Sequence, residues 1–119
     1  MKRDWDLVRE ILLAVEACET TRGRVRPEDI AGRDGELVSY HIQIMTEAGL
    51  LMGECSRSIG APLYCTASRL TWEGHEFLDE VRSHTAWNTI KGLARERGLD
   101  LTMGVITAAA KLVVESVLR

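Results

Sequence analysis

A mainly α-helical chain carrying one small β-hairpin, an α+β fold, is predicted by three observations. The stretch Glu36 to Leu51, ELVSYHIQIMTEAGLL, reads as an amphipathic helix that stops at a glycine and runs directly into an apolar segment. Two short β-compatible runs, 50–55 and 63–69, flank SRSIGAP, whose Gly60 and Pro62 mark a turn. Apolar residues at three- and four-residue spacing recur from Trp5 to Cys18 and again from Trp72 to Leu118. A helix, a tight stop and a hairpin in this order predict a winged-helix domain over residues 1–83. Two further helices over 84–119 then belong to the same compact unit or make a dimer.

Asp4 is positioned to cap a first helix reaching about Glu19, with Trp5, Leu7, Val8, Ile11, Leu12, Val15 and Cys18 on its apolar side. Residues 20–35 hold three glycines, one proline and many charges, so they read as loop with a brief strand near Val25 or a single turn after Pro27. A full second helix has no room there. In the central helix, Leu37, Val38, His41, Ile42, Ile44, Met45 and Ala48 fall within one arc of roughly 160°, at 100° per residue. Glu36, Ser39, Tyr40, Gln43, Thr46 and Glu47 occupy the other side, which is left for binding. Gly49 stands where a left-handed residue ends a helix.

After the hairpin, LTWEGHEFLDEV reads as a helix with Thr71 as N-cap and with Trp72, Phe77, Leu78 and Val81 directed to the core. Gly74 inside it costs about 1 kcal/mol relative to alanine and points to a close backbone crossing. Thr85 is the expected cap of a helix from Ala86 to about Arg97, stopped by Gly98. From Leu101 to Leu118 the polar stripe of Gly104, Thr107, Lys111 and Glu115 is narrow. One packing surface would not cover the rest, which predicts a homodimer through residues 101–118. The same two charges exclude a membrane span.

The chain has 119 residues, 45% hydrophobic and 28% charged, enough for one domain with a real core. MKRDWD opens with interspersed acids and is followed by periodic, not continuous, apolar residues, so no signal peptide is read and a cytoplasmic protein is expected. Cys18, Cys55 and Cys65 are odd in number and lack CxxC spacing, which argues against a disulfide framework or structural zinc. Reduced thiols are expected, although a Cys55–Cys65 bond is conceivable across the hairpin. The net charge of −3 gives no global attraction for nucleic acid, but Arg22, Arg24, Arg26 and Arg33 make residues 22–33 a local anion-facing candidate.

MKRDWDLVREILL at the start, VSYHIQIMTEAGLL in the middle and RLTWEGHEFLDEVR followed by Trp87 together resemble an uncharacterised family of small phage- and prophage-associated bacterial proteins. Its members share an MKRDxDLxR opening and an LTWxGHEFLD segment, and the resemblance covers roughly residues 1–90. It implies a winged-helix-like fold and a mobile-element origin. The family has no settled activity, so the resemblance carries over no catalytic residue. The central segment is also similar to the passage from recognition helix to wing in winged-helix transcription regulators, a likeness of fold and not of function.

Enzymatic chemistry finds no support in the motifs. His75 and Glu76 begin a HExxH pattern, but Asp79 stands where the second histidine is needed, and no metal or cofactor is expected. His41 lies in the apolar arc and reads as a core histidine hydrogen-bonded to backbone or carboxylate. A DNA-binding regulator is the first functional expectation. Ser39, Tyr40, Gln43 and Thr46 would face bases, while Arg57, Ser58 and Arg69 of the wing and Arg22, Arg24 and Arg26 beside it supply about four or five phosphate contacts per chain. The central helix has no Lys or Arg, so the alternative is a protein-interaction module that binds or inhibits host nucleic-acid or defence machinery.

Overall fold

The computed structural model describes residues 1–118, which form five α-helices and one antiparallel hairpin. These are α1 (Trp5–Glu16), α2 (Gly35–Glu47), β1 (Leu51–Ser56), β2 (Tyr64–Leu70), α3 (Trp72–Val81), α4 (His84–Glu96) and α5 (Met103–Leu118). The contacts divide the chain into two compact units, Met1–His75 and the residues from Glu76 on.

Asp4 caps α1 as its sequence position predicts, its carboxylate accepting the amides of Asp6 at 2.9 Å and Leu7 at 3.2 Å. Trp5, Leu7, Val8, Ile11, Leu12 and Val15 are buried. The helix stops at Glu16 instead of near Glu19, because the Cys18 amide turns back to Val15 and leaves Cys18 half-buried. Both short features expected between α1 and α2 are present. Val25 exchanges two backbone hydrogen bonds with Ala67 of β2, at 2.8 and 2.9 Å, and Pro27–Asp29 makes one 3-10 turn.

Asp34 caps α2 by accepting the Leu37 amide at 3.1 Å. Gly49, at φ +77°, ends it in the left-handed region, where the Leu50 amide reaches back to the Met45 carbonyl. Val38, His41, Ile42 and Met45 are buried, as the periodicity predicts. Ala48 departs from it and is exposed, and Ser39 departs in the other sense and is fully buried. His41 has no exposed surface. Its Nδ1 lies 2.9 Å from the Leu37 carbonyl, to which it can only donate, and its Nε2 accepts the Asp4 amide at 2.8 Å. Those two partners assign the neutral ring with its proton on Nδ1, and the Nε2 bond ties the start of α1 to the middle of α2.

The hairpin register runs from Leu51 opposite Leu70 to Ser56 opposite Tyr64, with one irregularity between Met52 and Gly53. Cys55 and Cys65 face each other and are joined by a disulfide, which corrects the expectation of reduced thiols for this pair. Two strands brought side by side put the β-carbons within bonding reach, whatever the cysteine count suggests. Thr71 donates its amide to the Leu50 carbonyl and its hydroxyl to the Gly49 carbonyl, and it caps α3 by accepting the Gly74 amide. Gly74 passes directly over the Leu50 carbonyl oxygen, where a β-carbon would overlap it.

Phe77, Leu78 and Val81 of α3 are buried, but Trp72 is 76% exposed. At 100° per residue Trp72 lies about half a turn from the side shared by Gly74, Phe77, Leu78 and Val81, so the expectation that it joins them misreads the helical phase. In the second unit Ser83, not Thr85, caps α4, accepting the Ala86 amide at 3.2 Å, and the Thr85 carbonyl instead accepts the Thr89 hydroxyl. Ser83 has the extended dihedrals that a cap requires, which places the helix start at His84. Trp87, Ile90 and Ala94 of α4 and Ile106, Ala109 and Ala110 of α5 are buried, and the two helices pack on each other. Leu112, Val114, Val117 and Leu118 remain 50 to 79% exposed. Among the described residues no helix is long and apolar enough to cross a membrane.

Gly74→Ala should cost stability at or above the upper end of the ~1–3 kcal/mol typical of overpacking, since backbone and not a flexible side chain blocks the new methyl. Denaturant midpoints of the two proteins check this.

Candidate binding surface around α2 and the hairpin

The residues expected to bind separate into those that α2 presents and those that the fold consumes. Tyr40 and Gln43 lie half-buried on α2, between the exposed Glu36 and Glu47. Thr46 is half-buried too, but its hydroxyl donates to the Ile42 carbonyl at 2.7 Å. Ser39 is not on this face. Its Oγ accepts the Cys65 amide at 3.0 Å in the core, so it is a strut between α2 and β2. Arg57 and Ser58 are exposed in the hairpin loop, where the Ser58 carbonyl accepts the Ala61 amide. Arg69 is exposed at the far end of β2, opposite Met52, with Nη1 3.4 Å from the Leu70 carbonyl.

The arginines of residues 22–33 are mostly engaged by carboxylates. Arg24 meets Glu54 of β1 at 3.5 Å and the Thr66 hydroxyl at 3.5 Å. Arg26 pairs with Asp29 at 3.3 Å, and Asp29 also accepts the Arg26 amide at 2.8 Å, which closes the 3-10 turn. The Asp29 carboxyl is held below its ordinary range by that amide first and by the guanidinium second, and Arg26 is raised in return. Arg33 reaches Glu10 at 3.1 and 3.2 Å and Asp4 at 2.9 Å, both from the α1 region, and its pKa is raised, mainly by the bond to Glu10. Arg22 is exposed. The anion-facing loop anticipated from arginine count is therefore largely neutralised within the fold.

One contact has no signal in the sequence. The Tyr64 hydroxyl donates to Glu28 at 2.9 Å, joining the start of β2 to the 3-10 turn across 36 positions. Glu28 is held below the ordinary carboxylate range by its own backbone amide and then by this phenol, and Tyr64 is raised, chiefly by the bond to Glu28. Beside this bond a cleft of about 490 Å³ is lined by Pro27, Ile30, Arg33, Glu36, Leu63 and Tyr64. Among the described residues no three His, Cys, Asp or Glu side chains gather where a metal could be held. The surface offers hydrogen-bond donors and acceptors, an aromatic edge and mixed charge.

Residues 2–100 match a family described as a hypothetical protein, DUF2513. The chain belongs to this family. An uncharacterized protein of Haemophilus influenzae is 38% identical over 118 residues, which is 99% of each chain. No solved structure matches. Membership of an uncharacterised family agrees with that much of the expected resemblance. The DUF2513 match takes in α1 through α4 and ends just before α5, whereas the Haemophilus relative is similar throughout.

The Tyr64–Glu28 bond gives a prediction with two signs. The Glu28 pKa is depressed by folding, so its contribution is present above the ordinary carboxylate range and is lost as pH falls through the depressed value. The Tyr64 pKa is raised, so its contribution is present below the ordinary phenol value and is lost as pH rises through the raised one. In Tyr40→Phe, where Tyr64 is the only tyrosine left, ultraviolet titration should give a midpoint above that of free tyrosine. Adding Glu28→Gln should lower it, and an unchanged midpoint would break the assignment.

Proposed function

We propose that this chain is a non-enzymatic winged-helix binding protein of mobile-element origin, and that the surface formed by α2 and the hairpin takes a protein ligand. The winged-helix reading rests on element order. A helix, a single paired residue at Val25, a turn, a helix closed by Gly49 and a hairpin follow in sequence, and Val25 lies on the edge of β2 away from β1. In place of the second helix of a helix-turn-helix there is one 3-10 turn.

The observation that carries the choice of ligand is the use of Arg24, Arg26 and Arg33 by Glu54, Asp29, Asp4 and Glu10. Duplex DNA binding draws most of its affinity from phosphate neutralisation. The exposed candidates that remain for it are Arg22, Arg57 and Arg69, around an α2 that has no Lys or Arg and carries Glu36 and Glu47. A face of Tyr40, Gln43 and mixed charges fits a protein partner better. Host nucleic-acid or defence machinery is the partner class that a phage or prophage origin supplies.

A DNA-binding regulator is the second reading, favoured by Arg57 and Ser58 at the exposed tip of the hairpin, where a wing would meet a backbone. Capture from host extract with nuclease present should recover a protein stoichiometrically, and Tyr40→Ala with Gln43→Ala should abolish it. Recovery only without nuclease would overturn the protein reading. A mobility shift that steepens with falling salt and weakens in Arg57→Ala with Arg69→Ala would put the DNA reading in its place.

The homodimer belongs to the same proposal. α5 exposes Leu112, Val114, Val117 and Leu118, and burying each such side chain fully would contribute roughly 1.5–3 kcal/mol. Light scattering should give twice the 13.3 kDa chain mass at tens of micromolar, falling to the monomer mass when Val114 and Val117 are changed to Lys. A monomer mass for the intact chain would sink the dimer.

A further inference from the structure

We propose that Cys55–Cys65 is a reversible thiol–disulfide clamp that sets how firmly the loop end of the hairpin is held to α2. The pair occupies the next-to-last rung before the 57–63 loop, its Cα atoms 4.1 Å apart, and only Ser56 opposite Tyr64 lies beyond it. Its two halves differ in surroundings. Cys55 is exposed, whereas Cys65 has no exposed surface. The Cys65 amide donates to Ser39 Oγ on α2, and the neighbouring Tyr64 hydroxyl donates to Glu28 of the 3-10 turn. The covalent link therefore closes the same strand end that supplies both ties to the proposed binding surface. The inference concerns that strand end and stands whether the ligand is protein or DNA.

The reducing partner is a dithiol. One of its thiolates attacks the sulfur of Cys55, the accessible member, forming a mixed disulfide as the Cys55–Cys65 bond breaks. Cys65 leaves as a thiolate and takes a proton. The second thiol of the reductant then displaces Cys55, which also leaves protonated, and the reductant departs as its own disulfide. Two electrons and two protons pass from the dithiol to the cysteine pair. A free thiolate at Cys65 would be buried in apolar surroundings, so release requires the Tyr64–Thr66 end to open while the leaving sulfur is protonated. Once the thiols are free, no covalent link closes the ten-residue separation, and the loop carrying Arg57 and Ser58 is held by Ser39, Glu28 and the ladder alone.

Cys18 serves as an internal count, because it is unpaired and the full chain then shows one alkylatable thiol oxidised and three reduced. The test is to equilibrate the intact protein across ratios of reduced to oxidised dithiothreitol, count thiols by mass after alkylation, and follow hydrogen exchange at the Tyr64 and Cys65 amides and tryptic cleavage after Arg57. Reduction without unfolding should raise exchange at those amides by about tenfold or more while α1 stays protected, and should speed cleavage after Arg57. Oxidised dithiothreitol should restore the slow rates. Cys55→Ala, which cannot close the bond, should exchange like the reduced wild type at every ratio. Exchange and cleavage that do not change between one and three thiols would overturn the proposal. So would a bond that opens only when the whole chain unfolds, and these wild-type readouts decide even if the variant does not fold.

Discussion

The main chain at Leu50 is the point on which the rest of Met1–His75 depends. Its amide closes α2 on the Met45 carbonyl, its carbonyl receives the Thr71 amide, and that same carbonyl is covered by Gly74 of α3. Thr71 adds a hydroxyl bond to the Gly49 carbonyl and caps α3 through the Gly74 amide. One residue thus ends a helix, starts a strand and receives the end of the second strand and the start of the next helix. With Leu51 fixed opposite Leu70, the register of the hairpin follows, and a one-residue slip would turn Ala67 and Cys65 outward from the core.

Much of this junction was legible because it is local. Gly49, Thr71 and Gly74 are residue types whose conformational or steric needs are visible in sequence, and the apolar series of α1 and α2 gives the buried faces of both. Two nearby features depart from the sequence pattern: Trp72 lies half a turn from the buried side of α3, and Ser83, the residue just before the helix, caps α4 in place of Thr85. The candidate surface was legible only in part. Tyr40 and Gln43 stand on α2 where the periodicity puts them, but nothing in the spacing tells that Ser39 would be consumed by a β2 amide 26 positions away. The pairing of Arg33 with Glu10 and Asp4, 23 and 29 positions away, is equally unreadable.

Those arginine pairs alter what the surface is. Residues 22–33 look cationic when counted, but three of their four arginines have carboxylate partners. The Arg33 group is partly buried and two-sided, so removing that arginine would take the guanidinium from Asp4 and Glu10 at once. Its role is to hold the α2 approach against α1, and any phosphate that engaged it would compete with two carboxylates already in place. Charge that stabilises the fold is not available for a ligand on the same terms as charge in solvent.

The reduced second helix makes β2 the member on which the surface rests. A full helix in the 27–29 region would pack on α2 through a longer apolar face, whereas the one 3-10 turn packs there with Pro27 buried and adds a polar bond from Glu28 to β2. Val25 holds β2 at Ala67, Glu28 holds it at Tyr64, Ser39 holds it at Cys65, and Cys55 holds it at Cys65 from the other side. All four ties act on the first four residues of the strand, whereas its far end is fixed through the Leu50 and Thr71 junction. The hairpin consequently has its far end set by backbone packing and its loop end set by side-chain and sulfur bonds beside the one backbone pair at Val25. Under the proposed reading, a ligand touching α2 and the 57–63 loop together would meet the end held by the Glu28, Ser39 and Cys55 bonds, so its affinity would depend on bonds it does not itself make.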